Sequence, residues 1–179
     1  MERVAQQRAG AERSSTSPLY QVLAEDIAAM GVEAVFGLIS DDTALLATAL
    51  DTSGARFYGA RHENCAIAMA DGYAYAAGRL GVAVIGRGPA LANGLHGAIY
   101  ASRTGSPVLL IYGEAATLSQ PNGLGPDYKA IDGPGVLRAA GFGHQSTGGA
   151  RGARRCRSGC DRRRGGELAL ADKCAACRN

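Results

Sequence analysis

The hydrophobic and polar positions between residues 19 and 140 follow two alternating rhythms. Short apolar runs bounded by Gly, Pro or polar residues predict buried strands, and longer segments with an apolar residue at every third or fourth position predict helices. The predicted strands are Val32–Phe36, Ala55–Tyr58, Gly81–Gly86 and Pro107–Tyr112. The predicted helices are Leu19–Met30, Thr43–Leu50, Glu63–Gly78, Pro89–Thr104 and Ala130–Ala140, the last interrupted by a Gly-Pro-Gly sequence at residues 133–135.

This alternation of strands and helices is typical of βαβ units, which predict a parallel sheet. The runs that begin at Gly81 and Pro107 are apolar throughout, as strands are when helices cover both faces of a sheet. The predicted fold class is therefore α/β, a three-layer α/β/α arrangement with a parallel sheet between two layers of helices.

Glu63 is the candidate for chemistry within this pattern. It opens a helix with one very small face, made of Ala66, Ala70, Ala74 and Ala77, so that neighbouring elements can approach closely. Ligands of open α/β sheets bind where such strand-to-helix connections meet. The helix N-terminus favours the anion whereas burial favours the neutral acid, and a carboxyl between these influences can share a proton. A glutamate that serves only to cap its helix is the alternative.

Other motifs narrow the chemistry. The turn after the first strand, Gly37–Asp41, has a single glycine, so the dinucleotide fingerprint is absent, as is a P-loop. Asp41 or Asp42 is predicted to cap the helix that begins at Thr43. The three histidines lack the spacing of metal ligands, so no metal site is predicted among them.

Charge and cysteine content divide the chain near Gln145. The net charge of +3 is the sum of −3 over residues 1–145 and +6 over residues 146–179, where four of the five cysteines also lie. The remaining cysteine, Cys65, fits a reducing cytoplasm.

Residues 1–18 lack the apolar segment of a signal peptide, and no apolar run reaches the roughly 18 residues of a membrane span. We predict a flexible leader (1–18), a folded domain (19–145) and a basic tail (146–179) in a cytoplasmic protein.

Five blocks of sequence, in their order and spacing, resemble one family. They are Val35–Gly37, Arg61–Ala74, Gly81–Val82, Arg87–Gly94 and Pro107–Gly113, and the second block (RHENCAIAMADGYA) is highly specific. From about Leu19 to Gln145 the chain is similar to the N-terminal pyrimidine-binding domain of thiamine-diphosphate enzymes of the acetolactate synthase, pyruvate oxidase and benzoylformate decarboxylase type.

The resemblance assigns roles to individual residues. It implies that Glu63 is catalytic and binds the cofactor, thiamine diphosphate, by hydrogen-bonding the ring nitrogen of its aminopyrimidine. Gly88, Pro89 and Asn93 match the family's GPGxxN turn, which lines the same pocket, and we expect Arg87 to point towards the reacting side. The implied substrate is a 2-oxo acid, for which the cofactor serves as electron sink.

Departures from the family limit what the resemblance implies. Where the family usually has the turn G-x-P-G, this chain has Gly-Leu-Ile-Ser at residues 37–40, so the contacts to the substrate stay open. Where the family has GPG, this chain has Gly-Pro-Ala at residues 88–90. The GDG…N motif of the diphosphate-binding domain, which holds Mg²⁺, does not occur in this sequence. The chain is therefore expected to offer half a site, inactive alone, and to form a homo-oligomer or join a partner subunit with that domain. The small subunit of a split decarboxylase and a catalytically silent fragment are the alternatives.

Residues 146–179 no longer resemble the family and carry eight arginines. We expect them to be disordered, or to be the out-of-frame end of a truncated product, because a GC-rich coding sequence read out of frame yields this composition. Two other interpretations stay open. Four cysteines can form a zinc site, namely Cys156, Cys160, Cys174 and Cys177. The arginine cluster at Arg151–Arg164 can bind the phosphates of a nucleic acid. This second interpretation is less favoured, because the cluster contains no aromatic residue for base stacking.

Overall fold

The structure is a computed structural model of the chain, and it describes residues 17–114, 129, 131–146 and 169–172. The helices are α1 (Leu19–Ala29), α2 (Ala44–Thr52), α3 (Glu63–Ala77), α4 (Pro89–Thr104) and α5 (Gly133–Ala139). The strands are β1 (Ala34–Gly37), β2 (Arg56–Gly59), β3 (Gly81–Ile85), β4 (Val108–Tyr112), β5 (His144–Ser146) and β6 (Ala169–Asp172).

The strands form one parallel sheet in the order β2-β1-β3-β4-β6-β5. In the middle of this order, Val35 of β1 pairs with Phe57 of β2 on one side and with Val82 of β3 on the other. Because the chain leaves β1 towards β2 and later returns to β3, the carboxyl ends of β1 and β3 flank the topological switch point, where open α/β sheets bind ligands.

A hydrophobic core lies on each face of the sheet. Successive strand residues point to opposite faces, so Val35 and Val82 join α1 and α2 in one core, whereas Phe36 and Ala83 join α3, α4 and α5 in the other. Strands β3 and β4 are buried along their whole length, which explains why their sequences are apolar without alternation. The predicted α/β class, a parallel sheet between two layers of helices, is confirmed.

Helix α3 sits deep on the sheet because its inner face is small. Ala66, Ala70 and Ala74 are buried, as the spacing predicts, whereas Ala77 at the end of the helix is exposed. On β3, a side chain at Gly81 would collide with the backbone carbonyl oxygen of Ala70. The absence of side-chain atoms at Gly81 therefore sets the depth at which α3 packs.

Two predictions about helix starts are wrong. The Gly-Pro-Gly sequence at residues 133–135 opens the last helix instead of interrupting it, because the Asp132 carboxylate accepts a hydrogen bond from a backbone amide of that sequence at 2.8 Å. Helix α2 has Thr43 at its N-cap without a side-chain cap, since the Asp42 carboxylate accepts from the Ser40 hydroxyl at 3.0 Å instead.

Strands β5 and β6 have no counterpart among the predicted elements. Strand β6 lies in the segment expected to form a basic tail, yet its backbone pairs with β4 and β5. Most of that segment, including its cysteines and its arginine cluster, lies outside the described residues, as does the predicted leader up to residue 16. The domain boundaries, the out-of-frame origin and the zinc and nucleic-acid interpretations therefore stay predictions.

The described ranges contain neither a helix suited to cross a membrane nor a cluster of metal-binding side chains. None of the helices there has the length and apolar character required to cross a bilayer. The same ranges contain no group of three or more His, Cys, Asp or Glu side chains placed to hold a metal ion.

Charged side chains meet at the crevice between the carboxyl ends of β1 and β3. The Lys129 ammonium donates a hydrogen bond to Asp41 Oδ1 at 2.8 Å and lies 3.8 Å from Asp42 Oδ1. The backbone carbonyl of Lys129 also packs so closely on Gly88 that any side chain at residue 88 would overlap it. Lys129 therefore ties the turn after β1 to the turn after β3.

The depth of α3 on the sheet can be tested with two glycine substitutions of opposite expected sign. Gly81→Ala should destabilise the fold by about 1–3 kcal/mol or more, because its methyl group meets a backbone oxygen that cannot move alone. Gly72→Ala, within α3 and with open space around it, should stabilise the fold by about 0.5–1 kcal/mol. Equal effects in thermal unfolding would contradict this packing.

The ion pair across the crevice predicts an unusually acidic aspartate. The hydrogen bond from Lys129 lowers the pKa of Asp41 to about 2 from an ordinary 3.8. The pair therefore stabilises the fold fully above pH 3.8, and less as pH falls through about 2 and the carboxylate is protonated. In carboxyl ¹³C NMR titrations, Lys129→Gln should raise the Asp41 midpoint towards the ordinary value. Arg138→Gln, which removes a cation paired with Asp132 instead, should not; equal midpoints in both variants would refute the assignment.

Candidate functional site

Glu63 is the first residue of α3 and follows the chain's exit from β2. The residue is only 8% exposed, so its carboxylate is largely removed from water and depends on hydrogen-bond partners. Asn93 of α4 supplies one, donating from Nδ2 to Glu63 Oε2 at 3.2 Å. Among the described residues, this carboxylate has no ion-pair partner. The site thus holds a buried carboxylate next to a neutral amide.

The residue before Glu63 fixes the start of the helix. His62 is the N-cap of α3, with an extended backbone (φ −156°, ψ 146°), and its Nδ1 accepts a hydrogen bond from the Asn64 amide at 3.1 Å. Ser, Thr, Asp and Asn usually fill this position. An imidazole nitrogen can accept only when it carries no proton. The side-chain cap of α3 is therefore His62 and not Glu63.

The turn that leads into α4 places Asn93. Gly88 has φ 63° and ψ −116°, a conformation that other residues avoid, and Pro89 occupies the first turn of the helix. Asn93 follows one turn later. The neighbouring Gly94 permits the close approach, since a side chain there would meet Ile67 Cδ1 at 2.7 Å.

The structure brings two of the four predicted cofactor-binding residues into contact. Glu63 and Asn93 share a hydrogen bond, and Gly88 and Pro89 lie at the N-terminus of the helix that carries Asn93. Arg87 is partly buried, and its Cβ lies 3.1 Å from the position that a side chain at residue 113, after β4, would take. The orientation of Arg87 towards the reacting side stays a prediction, as do the cofactor contacts of the other four.

Two residues at this edge of the sheet were not singled out by the sequence pattern. His62 stands inside the most specific block, and its place directly before the first helical residue is the signal that could have identified it as a cap. Lys129 reaches Asp41 across 88 positions of the chain. No local pattern covers such a separation, so the contact could only come from the fold.

The residues around Glu63 fit the aminopyrimidine end of thiamine diphosphate. Asn93 engages Oε2, and the described residues provide no hydrogen bond to Oε1. A carboxyl oxygen that accepts no hydrogen bond from the described residues can accept one from a nitrogen-bearing heterocycle. The donor set therefore agrees with the ligand that the sequence resemblance implies.

Comparison with protein families identifies the same domain. The family model described as the thiamine pyrophosphate enzyme N-terminal TPP-binding domain matches residues 18–132, which is more than half of the chain. The match begins just before α1 and ends just before α5, so it contains Glu63, the turn at Gly88 and Asn93.

Individual relatives agree with the family match. The chain is 37% identical over 112 residues to 2-hydroxyacyl-CoA lyase 2 of Danio rerio, which is 63% of this chain and 18% of that protein. It is 36% identical over 103 residues to human 2-hydroxyacyl-CoA lyase 2, covering 55% of this chain and 16% of the relative. It is 33% identical over 88 residues to the acetolactate synthase large subunit of Buchnera aphidicola, covering 49% and 15%.

The chain thus spans less than a fifth of the length of these relatives. The matched region nevertheless covers most of the described residues, including the whole of the candidate site. The chain belongs to the family of thiamine pyrophosphate enzyme N-terminal TPP-binding domains.

Proposed function

We propose that this domain binds the aminopyrimidine of thiamine diphosphate through Glu63, as one half of the site of a lyase or transferase that acts on a 2-oxo acid. The observation that carries the proposal is the hydrogen-bonded pair of Glu63 and Asn93 at the mouth of the β2–α3 connection. Among the described residues no cation pairs with this largely buried side chain, so a ligand can supply a further partner, and the family match names one.

Glu63 acts as the group that shares a proton with the ring nitrogen of the ligand. When bound, thiamine diphosphate supplies the electron sink for carbanion chemistry. Glu63 holds the proton at its free carboxyl oxygen or releases it to the ring, and the surrounding apolar residues strengthen this interaction by excluding water. Because Glu63 forms no ion pair among the described residues, we propose that its charge interacts with the bound ligand.

Asn93 acts as the residue that orients the carboxylate. Its amide nitrogen donates to Oε2, which restrains the carboxyl group and leaves Oε1 without a hydrogen bond from the described residues. Gly88 and Pro89 start the helix that carries Asn93, and we propose that their backbone lines the cofactor pocket. A neutral amide suits this role because it orients the carboxylate without neutralising its charge.

The other half of the site is proposed to come from a diphosphate-binding domain that also brings Mg²⁺. This domain is proposed to belong to a partner subunit or to another part of a longer protein. The described residues without it are proposed to be inactive, in an oligomer that works in the cytoplasm, where the exposed free thiol of Cys65 stays reduced. A small subunit of a split decarboxylase and a silent fragment remain the competing proposals.

The identity of the substrate has a second candidate. The match to 2-hydroxyacyl-CoA lyase 2 is longer and higher in identity than the match to acetolactate synthase, at 37% over 112 residues against 33% over 88. A 2-hydroxyacyl-CoA is therefore proposed as the alternative to a 2-oxo acid. Side-by-side turnover assays of the assembled enzyme with both substrates would decide between them.

Binding of the pyrimidine half can be tested on this chain alone. Titrating 4-amino-5-hydroxymethyl-2-methylpyrimidine into the ¹⁵N-labelled protein should give saturable NMR shifts at Asn64 and at the Asn93 side chain. Glu63→Gln should abolish them, because the amide cannot share the ring proton. Glu33→Gln changes an exposed glutamate before β1 that pairs with Arg79, and it should leave them unchanged. Saturable shifts that persist in Glu63→Gln would contradict the assigned role.

The orienting role of Asn93 predicts a smaller effect than loss of the carboxylate. Asn93→Ala removes one hydrogen bond and should weaken pyrimidine binding by about tenfold, which corresponds to the upper range for a single hydrogen bond. Asn93→Asp has the same shape but cannot donate when ionised, and its charge repels that of Glu63, so it should bind still more weakly. Equal affinities for wild type and both variants would show that Asn93 does not orient Glu63.

A further inference from the structure

The helix that carries Glu63 is held at its start in a different way from most of its neighbours. Helices α1, α2 and α4 have no side-chain hydrogen bond at their N-caps, and α5 is capped by the carboxylate of Asp132. Helix α3 is capped by the imidazole of His62. Within the described part of the chain, the residue before the candidate catalytic glutamate is therefore the one histidine that serves as a cap.

The capping hydrogen bond between His62 and Asn64 spans Glu63. It runs from the Asn64 amide to His62 Nδ1 at 3.1 Å, so Glu63 is the residue between the two partners. Rotation of the Glu63 backbone requires this bond to break. The cap therefore restrains the direction in which the Glu63 side chain leaves the helix.

A second restraint acts on the other end of the same side chain. Asn93 fixes the carboxylate through Oε2, and a side chain at Gly94 would come within 3.7 Å of Glu63 Cβ, so α4 lies directly against it. His62 restrains the backbone and Asn93 restrains the carboxylate. Loss of the first is expected to disturb the second, because the 3.2 Å hydrogen bond tolerates little displacement.

The chemistry of the cap suits its place beside a carboxylate. An aspartate at position 62 would cap equally well but would add a negative charge next to Glu63. A neutral imidazole accepts the same hydrogen bond without charge, provided that its proton is on Nε2. His62 is exposed, so the Nε2–H group can be satisfied by water.

We propose that His62 is a positioning residue for Glu63: as a neutral, Nε2-protonated imidazole it caps α3 and thereby holds the Glu63–Asn93 pair in place. The importance of this pair rests on the proposed function, but the positioning itself does not require the cofactor. It can be measured on the full chain without any ligand.

The test combines a spectroscopic signature with rescue by a conservative variant. In wild type, ¹⁵N spectra of the imidazole should show Nδ1 unprotonated and Nε2 protonated. His62→Ala should speed hydrogen exchange of the Asn64 amide by about fivefold, the equilibrium equivalent of a lost N-cap. It should also move the Asn93 side-chain amide resonances towards those of a free amide. His62→Asn, which restores a neutral capping acceptor, should return both signals to within about twofold of wild type.

Three results would overturn the proposal: an Nδ1-protonated imidazole, unchanged Asn64 exchange in His62→Ala, or faster exchange with no change at the Asn93 side chain. The last would make His62 a cap without influence on the site. Failure of the proposed function looks different, because it appears as absence of pyrimidine binding in wild type while these ligand-free signals behave as expected.

Discussion

The close packing of α3 against β3 and α4 is the constraint on which the site depends. A glycine at residue 81 lets the backbone of α3 reach the sheet, and Gly94 and Gly97 let α4 reach α3. Only at this separation can the short side chain of Asn93 reach Glu63. These glycines have no side chain that buries apolar area. Their contribution is the close approach of the helices, which sets the distance between the Glu63 carboxylate and the Asn93 amide.

Two groups of acidic residues lie at this edge of the sheet, and they differ in their hydrogen-bond and ion-pair partners. Asp41 and Asp42 lie beside the Lys129 cation, and Ser40 donates to Asp42 Oδ1, while Asp42 Oδ2 is buried without a hydrogen bond from the described residues. The backbone carbonyl of Lys129 also packs against the turn at Gly88. Glu63 receives a hydrogen bond from an amide and, within the described ranges, no cation. The two groups therefore differ in the partner beside them: the aspartates have a lysine cation, and Glu63 has a neutral amide.

The sequence predicted the parts of the molecule that local pattern determines. The bounds of α4 are those observed, β3 is shorter than predicted by one residue, and Glu63 opens α3 as expected. Features set by tertiary contacts cannot be predicted from local sequence. The Lys129–Asp41 pair joins positions far apart in the chain. Strand β6 pairs in the sheet although its short apolar stretch gives little periodicity. The start of α5 was misread because glycine and proline break helices in general, yet here Asp132 caps a helix that begins with them. The Glu63–Asn93 hydrogen bond could not be predicted, since both positions were inferred only to line the same pocket.

The central claim is that the Glu63 carboxyl shares a proton with the aminopyrimidine of thiamine diphosphate. The most direct measurement is ¹⁵N NMR of thiamine diphosphate labelled at its pyrimidine ring nitrogens, bound with Mg²⁺ to the assembled enzyme that contains this domain. We predict that the resonance of one ring nitrogen shifts markedly from its value in free solution. Glu63→Gln should return it to that value in the bound state, and Glu33→Gln should not. A bound cofactor whose ring-nitrogen shift is the same in wild type and in Glu63→Gln would contradict the account.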